Sequence, residues 1–139
     1  MNKQLTCAER VEASLESTMD DLRRLWEAYC DGDEDRYSDD IGNIFEYGLA
    51  FDYVAAGTFR DQEVGFFRYQ LSYGGPQEEF RIFTDPEFNV SLIEYWFLDW
   101  FDGASIDLTG KEFKLVEEIF QSFFVESGAA QAEYEKAVE

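Results

Sequence analysis

Hydrophobic residues recur at steps of four and three from Val11 to Tyr29, through Leu15, Met19, Leu22 and Trp26. That spacing puts them on one side of a helix, as an apolar stripe that has to be buried. Thr6-Cys7-Ala8-Glu9 fits a capping box at its start, and Asp31-Gly32 supplies a stop. Beyond an acidic stretch, Ser38 is a candidate cap for a short second helix carrying Ile41, Ile44 and Phe45, which Gly48 ends. The period then changes. Four runs read as strands, Leu49 to Ala55, Val64 to Tyr73, Glu78 to Thr84 and Val90 to Trp100. In the second, Phe67, Tyr69, Leu71 and Tyr73 alternate with polar residues, as in a sheet with one buried face. Gly74-Gly75-Pro76 and Asp85-Pro86-Glu87 mark turns, and connections this short favour an antiparallel meander. A second T-x-x-E signature, Thr109 to Glu112, precedes Phe113, Val116, Ile119, Phe120, Phe123 and Phe124 at helical spacing, and Ser127-Gly128 breaks the helix they form.

These patterns predict one α+β domain over residues 1–126, an antiparallel sheet of about four strands flanked by an N-terminal and a C-terminal helix. Residues 127–139 favour helix but have little to bury, so a loosely held tail is expected. The chain has 139 residues, enough for a core without disulfides. Cys7 and Cys30 fall at the two ends of the first helix, roughly 35 Å apart at about 1.5 Å per residue, and cannot pair there. No apolar run resembles a signal peptide or a membrane span, so a soluble, cytoplasmic protein is expected.

Charge changes the picture. The chain carries 31 Asp and Glu against 11 Lys and Arg, with no His, for a formal charge of -20. Disordered acidic chains are poor in aromatic residues, whereas this one has 14 Phe, 8 Tyr and 3 Trp, so a folded acidic domain is expected. The absence of His excludes Ser-His and Cys-His catalysis, and no glycine-rich phosphate loop or nucleophile elbow is present. Asp99 with Asp102, or Glu78 with Glu79, are carboxylate pairs by proximity, but acid-base work also needs a pocket that shifts a pKa. Asp31, Asp33 and Asp35 copy the start of a calcium loop, yet Arg36 replaces its turn glycine and Gly42 its bidentate Glu. No catalytic residue, metal site or cofactor is assigned. So negative a field repels nucleic acid, and it favours a positively charged protein partner.

Residues 31–62 hold nine acids against two arginines, and residues 93–139 hold eleven against three lysines. Two such regions raise the question of a common face. Carboxylates at i and i+4 on a helix have Cβ atoms about 5 to 6 Å apart, close to the direct spacing of phosphates on a duplex strand, roughly twice the 3.4 Å rise. Between the regions, Ile93 to Gly103 is dense in aromatic rings. Those rings are either core on both faces of a strand or, in part, exposed anchors beside the acids.

Gly74-Gly75-Pro76 followed by Glu79 and Arg81, with Ile93-Glu94-Tyr95 and Asp99-Trp100-Phe101, resembles small acidic proteins of plasmids and phages, among them anti-restriction and anti-CRISPR DNA mimics. The resemblance spans about residues 71–124. It implies a non-enzymatic inhibitor, monomer or homodimer, that occupies the phosphate-binding groove of a basic nucleic-acid-binding protein such as a nuclease complex, binding neither nucleic acid nor membrane itself. The residues it points to are Asp31, Asp33, Glu34, Asp35, Asp39 and Asp40, then Asp99, Asp102 and Asp107, with Trp96 and Trp100 as anchors. Two alternatives are an immunity protein or antitoxin that blocks a basic toxin, and a small-molecule binding module with an aromatic pocket in the sheet.

Overall fold

The computed structural model describes residues 6–72, 76–99 and 102–138. Helix α1 spans Cys7–Cys30, and its capping box forms: the Thr6 hydroxyl accepts from Glu9 N–H at 3.3 Å while the Glu9 carboxylate accepts from Thr6 N–H at 3.1 Å. The predicted stripe is its buried side, widened by Cys7, Thr18, Leu25 and Ala28.

The chain is α+β, with a five-stranded antiparallel sheet in the order β1 (Ala50–Val54), β2 (Phe66–Ser72), β3 (Gln77–Thr84), β4 (Val90–Asp99) and β5 (Asp102–Asp107). Four strands were expected, and the fifth is a segment to which the sequence patterns assign no element. Asp102-Gly-Ala-Ser-Ile-Asp has only Ala104 and Ile106 to set against the core, too little apolar alternation to announce a strand. Pairing with β4 makes it one, from Asp99↔Asp102 to Glu94↔Asp107.

Strand register divides the side chains into two faces. Tyr53, Phe67, Tyr69, Phe80, Ile82, Ile93, Tyr95 and Phe97 face the helices and build the core. On the other face a row of charges crosses the sheet, Asp52↔Arg68↔Arg81↔Glu94↔Asp107. Segment 55–65 folds over one end of that face, bringing Phe59 to 6.2 Å from Phe66 between ring centroids.

The short second helix, α2, is Ile44–Tyr47 rather than a helix capped by Ser38. Gly42 at φ +82° breaks any helix begun at Ser38, and Asn43 caps the new one by accepting from Phe45 and Glu46 N–H at 3.0 and 3.1 Å. At the C-terminal end α3 (Gly110–Ile119) runs into a π-helical segment (Phe120–Val125) where one helix was expected, and after the predicted break at Ser127-Gly128 the tail forms α4 (Ala129–Val138). Thr109 stands at the N-cap of α3, but its side chain makes no capping hydrogen bond. The tail is not loose. Ala130 is fully buried, and the Tyr134 ring packs edge-on against Tyr53 of β1 at 4.9 Å. Trp100 and the Gly74-Gly75 half of the predicted turn lie outside the described residues.

Candidate functional site

The back of α1 is acidic because its front is apolar. Glu9, Glu12, Glu16, Asp20 and Glu27 follow at steps of three, four, four and seven, which holds them on the side opposite the buried stripe. The helix has 24 residues, so this row runs along a rod about 36 Å long at 1.5 Å per residue. Glu9, Glu12, Glu16 and Glu27 are exposed.

At its C-terminal end the row runs into the acidic loop, where Asp31, Asp33, Glu34, Asp35, Asp39 and Asp40 are all exposed. The loop does not swing away from the helix. Arg24 of α1 reaches Asp40 at 3.6 Å, while also binding Asp21 at 3.0 Å and Asp20 at 3.5 Å, so the far end of the loop is drawn back beside the last turns. Within the loop Arg36 bridges Asp31 and Asp33 at 3.0 and 3.1 Å, and Asp35 accepts from the Asn43 amide at 3.1 Å. Among the described residues, Glu12, Glu16, Glu27, Glu34 and Asp39 form no ion pair.

This placement works against folding. Peptide dipoles leave a partial negative charge at the C-terminus of a helix, where cations stabilise and anions destabilise by about 0.3–1 kcal/mol each at low salt. The last turn of α1 has no basic residue, and six acids follow it. Stability does not account for that choice of residues.

The second predicted cluster is divided. Asp99 and Asp102 sit at the N-terminal end of α1 and are engaged there. Asp99 takes Arg10 at 2.6 Å, and the Arg10 guanidinium lies 4.6 Å from the Phe97 ring centre. Asp102 accepts from Cys7 N–H and from its neighbour Gly103 N–H, each at 2.9 Å, and these two donors hold its carboxyl below the ordinary range. Burial, with Asp102 close by, pushes the Cys7 thiol up. Asp107 and Trp96 lie on the other side of the sheet. Trp96 is half-buried, donates to Glu94 at 2.9 Å and packs under Arg81 with 4.1 Å between guanidinium and ring centre. The loop acids and the Asp99–Asp102 corner are therefore at opposite ends of α1, joined by the helix acids that the sequence reading passed over. Their signal was present, as the reverse of the apolar stripe.

The other candidate pair is split by the sheet. Glu78 points toward the helices, where it accepts from Tyr95 and Ser14 hydroxyls at 2.5 Å, whereas Glu79 points to the outer face. Burial and the Glu78 carboxylate push the Tyr95 phenol above its ordinary range. Glu79 is fully buried, accepting from Arg81 at 2.8 Å and Gln77 at 2.6 Å. Among the described residues no three acidic or cysteine side chains converge as a metal-binding group, and no helix is long and apolar enough to cross a membrane. A cavity of about 300 Å³ lies on the outer face, under segment 55–65 and beside Phe59, Phe66, Phe83 and Arg81, not within the sheet. No protein-family model, curated protein or solved structure matches the chain.

Proposed function

We propose that this protein is an acidic DNA mimic that occupies the phosphate-binding groove of a defence nuclease complex, of restriction or RNA-guided type. One observation carries the reading: carboxylates extend along the outer side of α1 from Glu9 to Glu27, about 27 Å at 1.5 Å per residue and interrupted only where Arg23 pairs with Asp20, and continue into the exposed loop acids. From Glu9 to Asp20 neighbouring acids are about 5 to 6 Å apart at Cβ, near the roughly 7 Å between phosphates, and the row from Glu9 to Glu27 matches the rise of about eight base pairs at 3.4 Å each. A groove shaped for duplex backbone can take such a ridge in place of its substrate.

The charge also sets the kinetics. Steering by a large field raises association rates by one to three orders of magnitude and weakens steeply as salt is added. The test is a cleavage assay with a panel of restriction and RNA-guided nucleases at low and high salt. Inhibition should be relieved by excess non-cleavable duplex and should fall progressively as ridge acids are neutralised. Binding that duplex cannot displace, or that depends on one carboxylate alone, would replace mimicry by a shape-specific inhibitor of immunity-protein type.

A further inference from the structure

Beside the acidic loop the surface is apolar. Phe45 and Leu49 are 54% and 60% exposed, and they stand at the mouth of a cavity of about 190 Å³ walled by Phe51, Tyr69, Phe123 and Phe124. The groove is built by several elements. Gly48 must be glycine there, since a Cβ would lie 2.1 Å from the Tyr69 ring, so the backbone leaving α2 rests directly on that ring. Leu49 N–H donates to Gln70 of β2 at 2.8 Å, which fixes the next residue. Opposite, the π-helical segment contributes two successive rings, and Phe123 meets Phe45 edge-on at 5.1 Å while Phe124 stacks on Phe51 at 4.0 Å.

We propose that this groove receives one large apolar side chain from a basic segment of the protein partner, with Lys or Arg flanking the inserted residue. The proposal rests on reading the ridge as the surface that meets a cationic protein, and it adds the anchor that charge alone does not provide. Size fits one side chain, since a dry cavity of about 150 Å³ takes a benzene ring. Charge selects the flanks. Glu46 adjoins Phe45, and Asn43 ties it to the loop by donating to both Glu46 and Asp35, at 3.0 and 3.1 Å. The groove lining carries no charge, but Glu46 of α2 and Asp35 of the loop, joined through Asn43, stand beside it, and they favour a cation next to the inserted group and disfavour a second copy of this chain, which would bring two acidic margins together. Interface anchors are large apolar or aromatic groups set in such pockets, inside a polar rim.

The test uses the full chain and three labelled nonapeptides, followed by fluorescence anisotropy at low salt. One peptide is lysine-rich with Leu-Phe at its centre, the second has Ser-Ser in place of Leu-Phe, and the third keeps Leu-Phe with Gln for every Lys. The first should bind at least tenfold more tightly than either of the others. Leu49→Ser and Phe45→Ser should each reduce its preference over the Ser-Ser peptide to within about twofold, leaving affinity for the Ser-Ser peptide unchanged. Leu49→Ser guards against unfolding, because Leu49 is more than half exposed, and both variants are checked by thermal melting. Equal binding of the two basic peptides, or a preference that survives both substitutions, overturns the groove while leaving the ridge standing. Equal binding of the uncharged apolar peptide, or dimerisation through the groove in sedimentation, overturns the basic occupant. Failure of both basic peptides to bind overturns the ridge as well.

Discussion

On the outer face of the sheet Asp52 and Glu79 are matched to arginines, whereas along α1 and the loop beyond it many carboxylates stand alone. Asp52 takes a two-point contact from Arg68 at 3.0 and 2.8 Å, and Glu79 is fully buried against Arg81. Glu12, Glu16, Glu27, Glu34 and Asp39 form no ion pair among the described residues, in a chain with a charge of -20. The difference separates two uses of one residue type. Glu79 belongs to the fold, because its burial makes a partner compulsory. Acids of the helix face lower the stability of the fold through mutual repulsion, and their field is available to a partner.

The sharpest way to break that distinction is Glu79→Ala. Removing one member of a buried pair leaves the Arg81 charge with no counter-ion, a loss of about 3 kcal/mol, taken at the low end because Arg81 keeps 16% exposure. Urea denaturation should show a lower midpoint at unchanged slope. A loss below about 1 kcal/mol would mean that the sheet face tolerates lone charges as the ridge does. Asp52→Ala is the milder form of the same test. Its carboxylate is 38% exposed, so solvent screens the pair and about 0.5 kcal/mol is expected.

How much of this was legible in the sequence follows from which contacts are local. Helix α1 was readable because its cap and its stripe are both written within 25 residues, and the strands of β1 to β4 were readable from alternation and turn residues. Strand β5 was not, since its identity depends on β4 lying beside it. The short helix moved from Ser38 to Asn43 because Gly42 adopts a left-handed conformation that composition does not announce. For the site, the loop acids stand out in any reading, but the bonds of Asp99 and Asp102 to Arg10 and Cys7 N–H were not legible, because docking of α1 onto them joins residues about 90 positions apart. Trp96 went to the far face by strand parity, which needs the register of three strands to resolve. The row from Glu9 to Glu27 is legible only as the reverse of the apolar stripe, because its acids are three to seven residues apart while the run beyond it is dense.

The ridge gives a smaller stability effect of opposite sign. Replacing Glu12, Glu16, Glu27, Glu34 and Asp39 by their amides should leave the urea midpoint unchanged or slightly raised, by a few tenths of a kcal/mol for residues near the helix C-terminus. The same variant should bind a lysine-rich peptide more slowly, with a shallower dependence on salt in stopped-flow measurements. A stability loss would show that these acids have structural partners, and the contrast between the faces would disappear.

The smallest effect tests the corner where the two regimes meet. Asp102 is exposed like a ridge acid yet bonded like a sheet acid, with Cys7 N–H and then Gly103 N–H holding its carboxyl below the ordinary 3.8. A depressed folded-state pKa means that the ionised group stabilises the fold above about pH 3.8, and that this contribution fades as pH falls through the lowered value. Asp102→Ala should therefore be less stable than the parent at pH 6, and the gap should narrow as pH falls below 3.8 and the parent's own carboxylate is protonated. Asp102→Asn keeps an acceptor for Cys7 N–H without the titration, so the parent's advantage over it should vanish over the same interval. A gap that stays constant with pH would mean that the charge of Asp102 is not what anchors the start of α1, and the residue would then belong with the acids of the ridge.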